Sequence, residues 1–379
     1  MIILGIESSC DETACGIVQD GTELLANAVF SSMDLHVQYG GVVPEVAARS
    51  HIESITPVIN QALEEAELTW DDIDGIAVTY GAGLGGSLLV GVMAARTLAI
   101  IKNKPLYAIN HVEAHVYANF ITATSLPDYI LPSAAPVFPC LALIVSGGHS
   151  QLALFRDHFD YTLLGQTQDD AVGEAFDKVA KILGLPYPGG PSVGAAALRG
   201  NPYAFQLPKA RMTAVNPVLQ DLRAQRSDRS AKNSEEFSEI SYDFSFSGLK
   251  TAVLRHAQAM VGKDFTFPSK MLPEALNDAQ KADIAAVFQR IAIETVVDKA
   301  IQAYKEFSPA SVVIAGGVAA SPELRRQLKD RLPIEIAYTD PKLCTDNGAM
   351  VAALGCFKAA HNQPTADPLS LDIQPNLSM

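Results

Sequence analysis

Paired cysteines are missing from this sequence. It has five, Cys10, Cys15, Cys140, Cys344 and Cys356, with no C-x-x-C spacing among them. An odd, unpaired set argues against a disulfide framework and points to a reducing cytoplasm. No apolar run is read as long enough to span a bilayer, so no membrane association is expected. The opening residues, Met1 to Glu7, carry no basic region and no cleavage site. The expectation is a strand that begins at once, with neither a secretion signal nor a transit peptide. Basic residues are few: 28 lysines and arginines face 42 acidic residues, a formal net charge of −14. Phosphate backbones are gripped largely by lysine and arginine, which argues against broad, unaided nucleic-acid binding. A nucleic-acid substrate would need a local basic patch or a partner protein.

What is present suits a well-buried globular α/β protein. The chain has 379 residues, 48% of them hydrophobic, with 26 glycines. That length makes two lobes the natural expectation. Ile2 to Glu7 is a short apolar run, Ser8-Ser-Cys-Asp-Glu-Thr13 a polar turn, and Ala14 to Val18 apolar again. Leu141 to Val145, Ser146-Gly-Gly-His-Ser150 and Leu152 to Phe155 repeat that layout. Two strand–turn–strand units of one design suggest an internal duplication. A third apolar run, Ser311 to Ala315, ends in Gly316-Gly317 and leads to a helix with proline in its first turn. A double glycine lets the backbone approach a ligand closely.

Helical spacing marks Leu88 to Lys102, Ala171 to Leu183 and Asp278 to Phe307. Thr122 to Pro139 and Lys209 to Ser234 read as loops, the second basic through Arg223, Arg226, Arg229 and Lys232. The tail from Asn362 to Met379 is expected to lack firm structure.

His111 and His115 stand four residues apart. On a helix that spacing puts both imidazoles on one face, one turn apart, where they can share a divalent metal. The alternative is a pair of histidines without metal. The H-E-x-x-H peptidase pattern is absent, because Glu113 follows His111 by two residues, about 200° around a helix.

Eight segments then carry a resemblance. They are Gly5-Ile-Glu-Ser-Ser-Cys-Asp-Glu-Thr13, His111-Val-Glu-Ala-His115, Val145-Ser-Gly-Gly-His149 and Gly173-Glu-Ala-Phe-Asp-Lys178. After them come Tyr187-Pro-Gly-Gly-Pro191, Phe244-Ser-Phe-Ser-Gly-Leu-Lys250, Ala315-Gly-Gly-Val318 and Cys344-Thr-Asp-Asn-Gly348. In content and order the chain resembles the TsaD family, bacterial tRNA N6-adenosine threonylcarbamoyltransferases once grouped as glycoproteases. The resemblance implies the actin-like ATPase superfold, also called hsp70–actin–sugar kinase, with two related lobes around a nucleotide and metal cleft. It assigns 1–119 with 346–379 to the first lobe, 140–345 to the second, and 120–139 and 205–240 to loops or insertions.

By the same resemblance the metal ligands are His111, His115 and Asp346, for one divalent Fe(II) or Zn(II). Asp346 alone reads as a turn aspartate capping a helix at Asn347-Gly348. The implied ligand-binding residues are Ile144, Val145, Ser146, Gly147, Gly148, Asp177, Gly190 and Ser321, around threonylcarbamoyl-AMP or ATP. Ser321 stands where the family usually has asparagine, a shorter group without the two-donor fork.

The implied reaction moves a threonylcarbamoyl group from threonylcarbamoyl-AMP to the N6 amine of the adenosine adjacent to the anticodon, in tRNAs reading ANN codons. Asp11 and Glu12 are the candidate bases. TsaB-like and TsaE-like proteins are the expected partners, with a TsaC-like enzyme supplying the intermediate. Three rivals are a metallopeptidase, a small-molecule kinase of the same superfold, and a nucleotide-dependent scaffold without catalysis.

Overall fold

The structure, a computed structural model, describes residues 1–210, 212, 217, 219–221, 223 and 241–379. It divides into two compact units, Met1–Pro136 with Ala337–Met379, and Val137–Ile336. Residues 120–136 and 337–345, left outside the first lobe by the sequence reading, pack within the first unit. One reason is a hydrogen bond of 2.8 Å from Ile130 N to the Asp340 carboxylate.

The first unit is built on a six-stranded sheet in the order β5-β4-β1-β2-β3-β6. Its strands are β1 Ile2–Glu7, β2 Glu12–Gln19, β3 Glu23–Ser31, β4 Gly75–Gly81, β5 Leu106–Asn110 and β6 Ala123–Thr124. The two faces of β1 and β2 differ, as a period of two requires. Leu4, Ile6, Cys15 and Ile17 join one core with Ile55, Val58 and Ile59 of helix Pro44–Glu65 and Val92 and Ala95 of helix Gly85–Lys102. Gly5 and Gly16 alternate with them and meet helix Gly348–Ala360. A Cβ on Gly16 would lie 2.1 Å from Ala349 N, and one on Gly348 2.0 Å from Gly16 N. Only glycine permits backbones to touch so closely.

The second unit has a four-stranded sheet in the order β10-β7-β8-β9. Its strands are β7 Cys140–Val145, β8 Ser150–Asp157, β9 Asp160–Gln166 and β10 Ser311–Ala315. β10 runs parallel to β7, and β7, β8 and β9 pair antiparallel in turn. β4, β1, β2 and β3 of the first unit repeat that pattern of one parallel and two antiparallel pairings. The duplication read from two similar hairpins therefore extends to four strands per unit. Helix Asp278–Phe307 spans the residues expected of it. A reciprocal capping box of Asn277 and Gln280 starts it, and Ser308, at φ 47°, ends it.

Two expectations are corrected. Helix Gly85–Lys102 is long and apolar enough to cross a membrane by length and composition, with mean hydropathy 1.4. A count of consecutive apolar residues missed this because Ser87, Arg96 and Thr97 interrupt the run. Here Leu88, Val92, Ala95 and Ala99 of the helix are buried. The tail is not loose either. Arg96 donates to the carbonyls of Pro368, Leu369 and Leu371, Gln374 N bonds Tyr80 O at 2.7 Å, and Asn110 Nδ2 bonds Ser378 O at 3.1 Å.

Within the basic loop, Arg226, Arg229 and Lys232 lie outside the described residues. Arg223 is not a free cation. Its guanidinium forks onto Glu306 at 2.8 and 2.9 Å, and Tyr242 donates to the same carboxylate at 2.6 Å.

Candidate metal and ligand sites

Helix His111–Tyr117 follows β5 directly. Asn110 caps it, its side chain accepting from Val112 N and Glu113 N. Both imidazoles are buried, with ring centroids 4.7 Å apart. Asp346 reaches them from the segment before helix Gly348–Ala360. One Asp346 carboxylate oxygen lies 3.6 Å from His111 Nε2 and 3.3 Å from His115 Nε2. One donor atom from each of the three residues falls within 4.8 Å of the others. Asn347, not Asp346, caps the helix, through Met350 N. The glycine contacts that seat this helix on β1 and β2 also place Asp346.

The arrangement fits a divalent cation. Among the described residues, neither ring nitrogen of buried His115 has a hydrogen-bond partner. A buried polar group without a partner is costly, and coordination would satisfy it. His111 is oriented from behind: its Nδ1 lies 3.1 Å from the Glu7 carboxylate and 3.1 Å from Ser9 Oγ. Glu7 is fully buried and also accepts from Thr79 Oγ1 and Ser9 N, each at 2.6 Å. Burial works against its charge, but His111 holds the carboxyl below its ordinary range. Burial likewise opposes charging of His111, yet Asp346 and Glu7 together push it up to about 9. A carboxylate behind a ligating imidazole fixes the tautomer and raises ligand basicity. Sequence reasoning missed Glu7, Ser9 and Thr79. The available signal was a carboxylate ending an otherwise apolar strand, since a buried charge requires a partner.

Glu113 is buried on the same helix but answers to Lys358. Burial pushes its carboxyl up to about 7, with Lys358 opposing the shift. It is not among the candidate ligands His111, His115 and Asp346.

Asp11 and Glu12 sit where the turn after β1 enters β2. Glu12 is pushed up to about 9, by burial first and then by the charges of Asp346 and Asp11. Glu12, Asp11 and the triad thus belong to one electrostatic cluster in the first unit.

The other ligand candidates lie in the second unit. Ile144 and Val145 end β7, and Ser146, Gly147 and Gly148 form the turn to β8. Ser146 N bonds His149 O at 2.8 Å, and His149 N bonds Ser146 Oγ at 3.1 Å. The N–H groups of Gly147 and Gly148 have no partner among the described residues, and a Cβ on either would meet open space. Helix Val172–Leu183 starts on this turn, with Gly173 N and Glu174 N bonded to Ser146 O and Gly147 O. Gly316, at φ 87°, packs against Val145 O, where a Cβ would fall at 2.5 Å. The structure also brings Asp177 to the start of helix Gly189–Ala197, where its carboxylate accepts from Gly189 N at 2.6 Å. Ser321 caps helix Pro322–Arg331, accepting from Leu324 N at 3.4 Å.

Two matched sheets, a His-His-Asp cluster and unengaged glycine amides define an α/β protein of the actin-like superfold with a candidate metal site. Residues 23–353 match the family model for TsaD, tRNA N6-adenosine threonylcarbamoyltransferase. The chain belongs to that family. The tRNA N6-adenosine threonylcarbamoyltransferase of Thermomicrobium roseum is 45% identical over all of this chain and 97% of its own length. That of Dehalococcoides mccartyi is 42% identical over all of this chain and 99% of its own length.

Proposed function

We propose that the chain transfers a threonylcarbamoyl group from threonylcarbamoyl-AMP to the N6 amine of the adenosine adjacent to the anticodon in tRNAs reading ANN codons. The observation that carries this is the cluster of buried His115, whose ring nitrogens make no hydrogen bond among the described residues, with His111 and Asp346, in a chain of this family. His111, His115 and Asp346 would hold one divalent ion, Fe(II) or Zn(II), whose nitrogen and oxygen ligands suit either. Bound there, the ion supplies Lewis-acid stabilisation of charge on the donor's oxygens.

The remaining steps belong to side chains and backbone. The free amides of Gly147 and Gly148 receive anionic oxygen of the nucleotide, with Asp177, Gly190 and Ser321 as further contacts. The Ser321 hydroxyl accepts from its own helix and keeps one donor for a ligand. The exocyclic amine attacks the carbamoyl carbon, loses one proton, and AMP leaves. Asp11 or Glu12, side by side where the turn enters β2, is the base that takes that proton.

The acidic chain would bind tRNA with help from TsaB-like and TsaE-like proteins, while a TsaC-like enzyme supplies the adenylate. The reaction belongs in the cytoplasm, where tRNA is made and used. Nucleoside analysis of tRNA from cells depleted of this chain tests the function. Loss of threonylcarbamoyladenosine is expected, and an unchanged content would contradict it.

A further inference from the structure

The turn between β1 and β2 is anchored at three successive carbonyls. Ser9 O accepts from Leu84 N at 2.8 Å. Cys10 O meets Ser87 Oγ at 3.2 Å and His51 Nε2 at 3.0 Å. Asp11 O accepts from both Ser32 N and Ser32 Oγ at 2.9 Å. Behind these bonds stand two histidines with no solvent exposure, His36 and His51.

The direction of each bond fixes both rings. A carbonyl only accepts, so His51 Nε2 carries the proton that goes to Cys10 O. Burial holds His51 below its ordinary pKa, which leaves Nδ1 bare to accept from Thr13 Oγ1 at 2.8 Å. Val43 N donates to His36 Nδ1 at 3.3 Å, so His36 Nε2 carries a proton toward Ser32 Oγ, 3.1 Å away. Ser32 passes its own proton to Asp11 O. Both nitrogens of each ring are committed. His51 binds Cys10 and Thr13, the two residues that flank Asp11 and Glu12.

We infer that His51 is a positioning residue for the transfer reaction, with His36 in the same role one carbonyl further on. The two rings hold the turn so that the Asp11 and Glu12 carboxyls are presented in one geometry. The inference rests on the reading of that pair as the acid–base group. A base displaced by about an ångström loses on the order of a hundredfold in rate.

The test compares His51→Gln with His51→Asn in transfer by the metal-loaded chain in its full assembly, with Asp11→Asn and Glu12→Gln beside them. Glutamine places an N–H near the Nε2 position and still donates to Cys10 O. Asparagine replaces only the Nδ1 side. His51→Asn is expected to lower kcat by on the order of 10- to 100-fold, with KM for the adenylate and metal content unchanged. His51→Gln is expected to recover most of that loss. Wild-type kcat in both, or parallel loss of kcat and thermal stability without a difference between them, would overturn the positioning role. If Asp11→Asn and Glu12→Gln both keep wild-type transfer, the acid–base reading falls and the inference with it. If those two lose transfer while His51→Asn keeps it, only the positioning role fails.

Discussion

At Glu7 a carboxylate without solvent contact stays ionised because His111 faces it. Replacing it by glutamine keeps the shape but removes the charge behind the imidazole and one of the two acceptor oxygens that Ser9 N and Thr79 Oγ1 use. Glu7→Gln should weaken metal binding by about 10- to 100-fold with all three ligands intact. Competition with a chelator measures it, and an unchanged affinity would refute the orienting role. Gly348 makes a second residue-scale case. Its Cβ would enter the backbone at Gly16, and overpacking of this kind costs about 1–3 kcal/mol. Gly348→Ala should therefore lower Tm and metal affinity together, because the helix that carries Asp346 cannot seat. The histidine pair was legible from its spacing alone, as two rings on one helical face. Asp346 was not, since a carboxylate before Asn-Gly looks like a cap until the structure shows Asn347 doing the capping. Ser321 is the converse: a residue taken for ligand contact whose hydroxyl also starts a helix.

Elements were legible where the signals that define them are local. Helix Asp278–Phe307 could be read because its apolar repeat is written within its own residues. The tail from Asn362 onward could not, because its partners are remote in sequence: Arg96, Tyr80 and Asn110. Asn110 serves two elements, capping the histidine helix and binding Ser378 O. Asn110→Ala should cost about 1 kcal/mol of stability and speed proteolysis of the tail, read by thermal melting and limited digestion. In the second unit, Asp170 joins two elements, bonding Lys178 of helix Val172–Leu183 at 2.7 Å and Lys250 of helix Ser247–Met260 at 2.9 Å. Burial opposes the charge, but the two lysines prevail and hold its carboxyl below the ordinary value. A depressed folded pKa gives stability that is complete above the ordinary carboxyl pKa and is lost as pH falls through the folded value. Removing both lysines as methionine should therefore flatten the fall in stability below about pH 4, and an unaltered acid limb would contradict the linkage.

Across the whole molecule, the duplication could be anticipated from two hairpins of one layout. The run Ser311–Ala315 was legible as a buried strand, but its parallel pairing with β7 was not, nor was that of β4 with β1, because pairing partners far apart in sequence leave no local mark. The net charge of −14 sets the clearest demand at this scale, since contact with an RNA backbone must be local or shared with other proteins. The candidate chemistry is distributed by unit, with the His-His-Asp cluster and the Asp11–Glu12 pair in the first and the glycine amides in the second. Threonylcarbamoyladenosine formed on unmodified tRNA by the purified chain with its partners and the adenylate, with metal retained or chelated, tests the central claim most directly. The account predicts product with metal retained, and none after chelation or in His115→Ala. Equal product in all three, or none under any condition with the assembly complete, would contradict it.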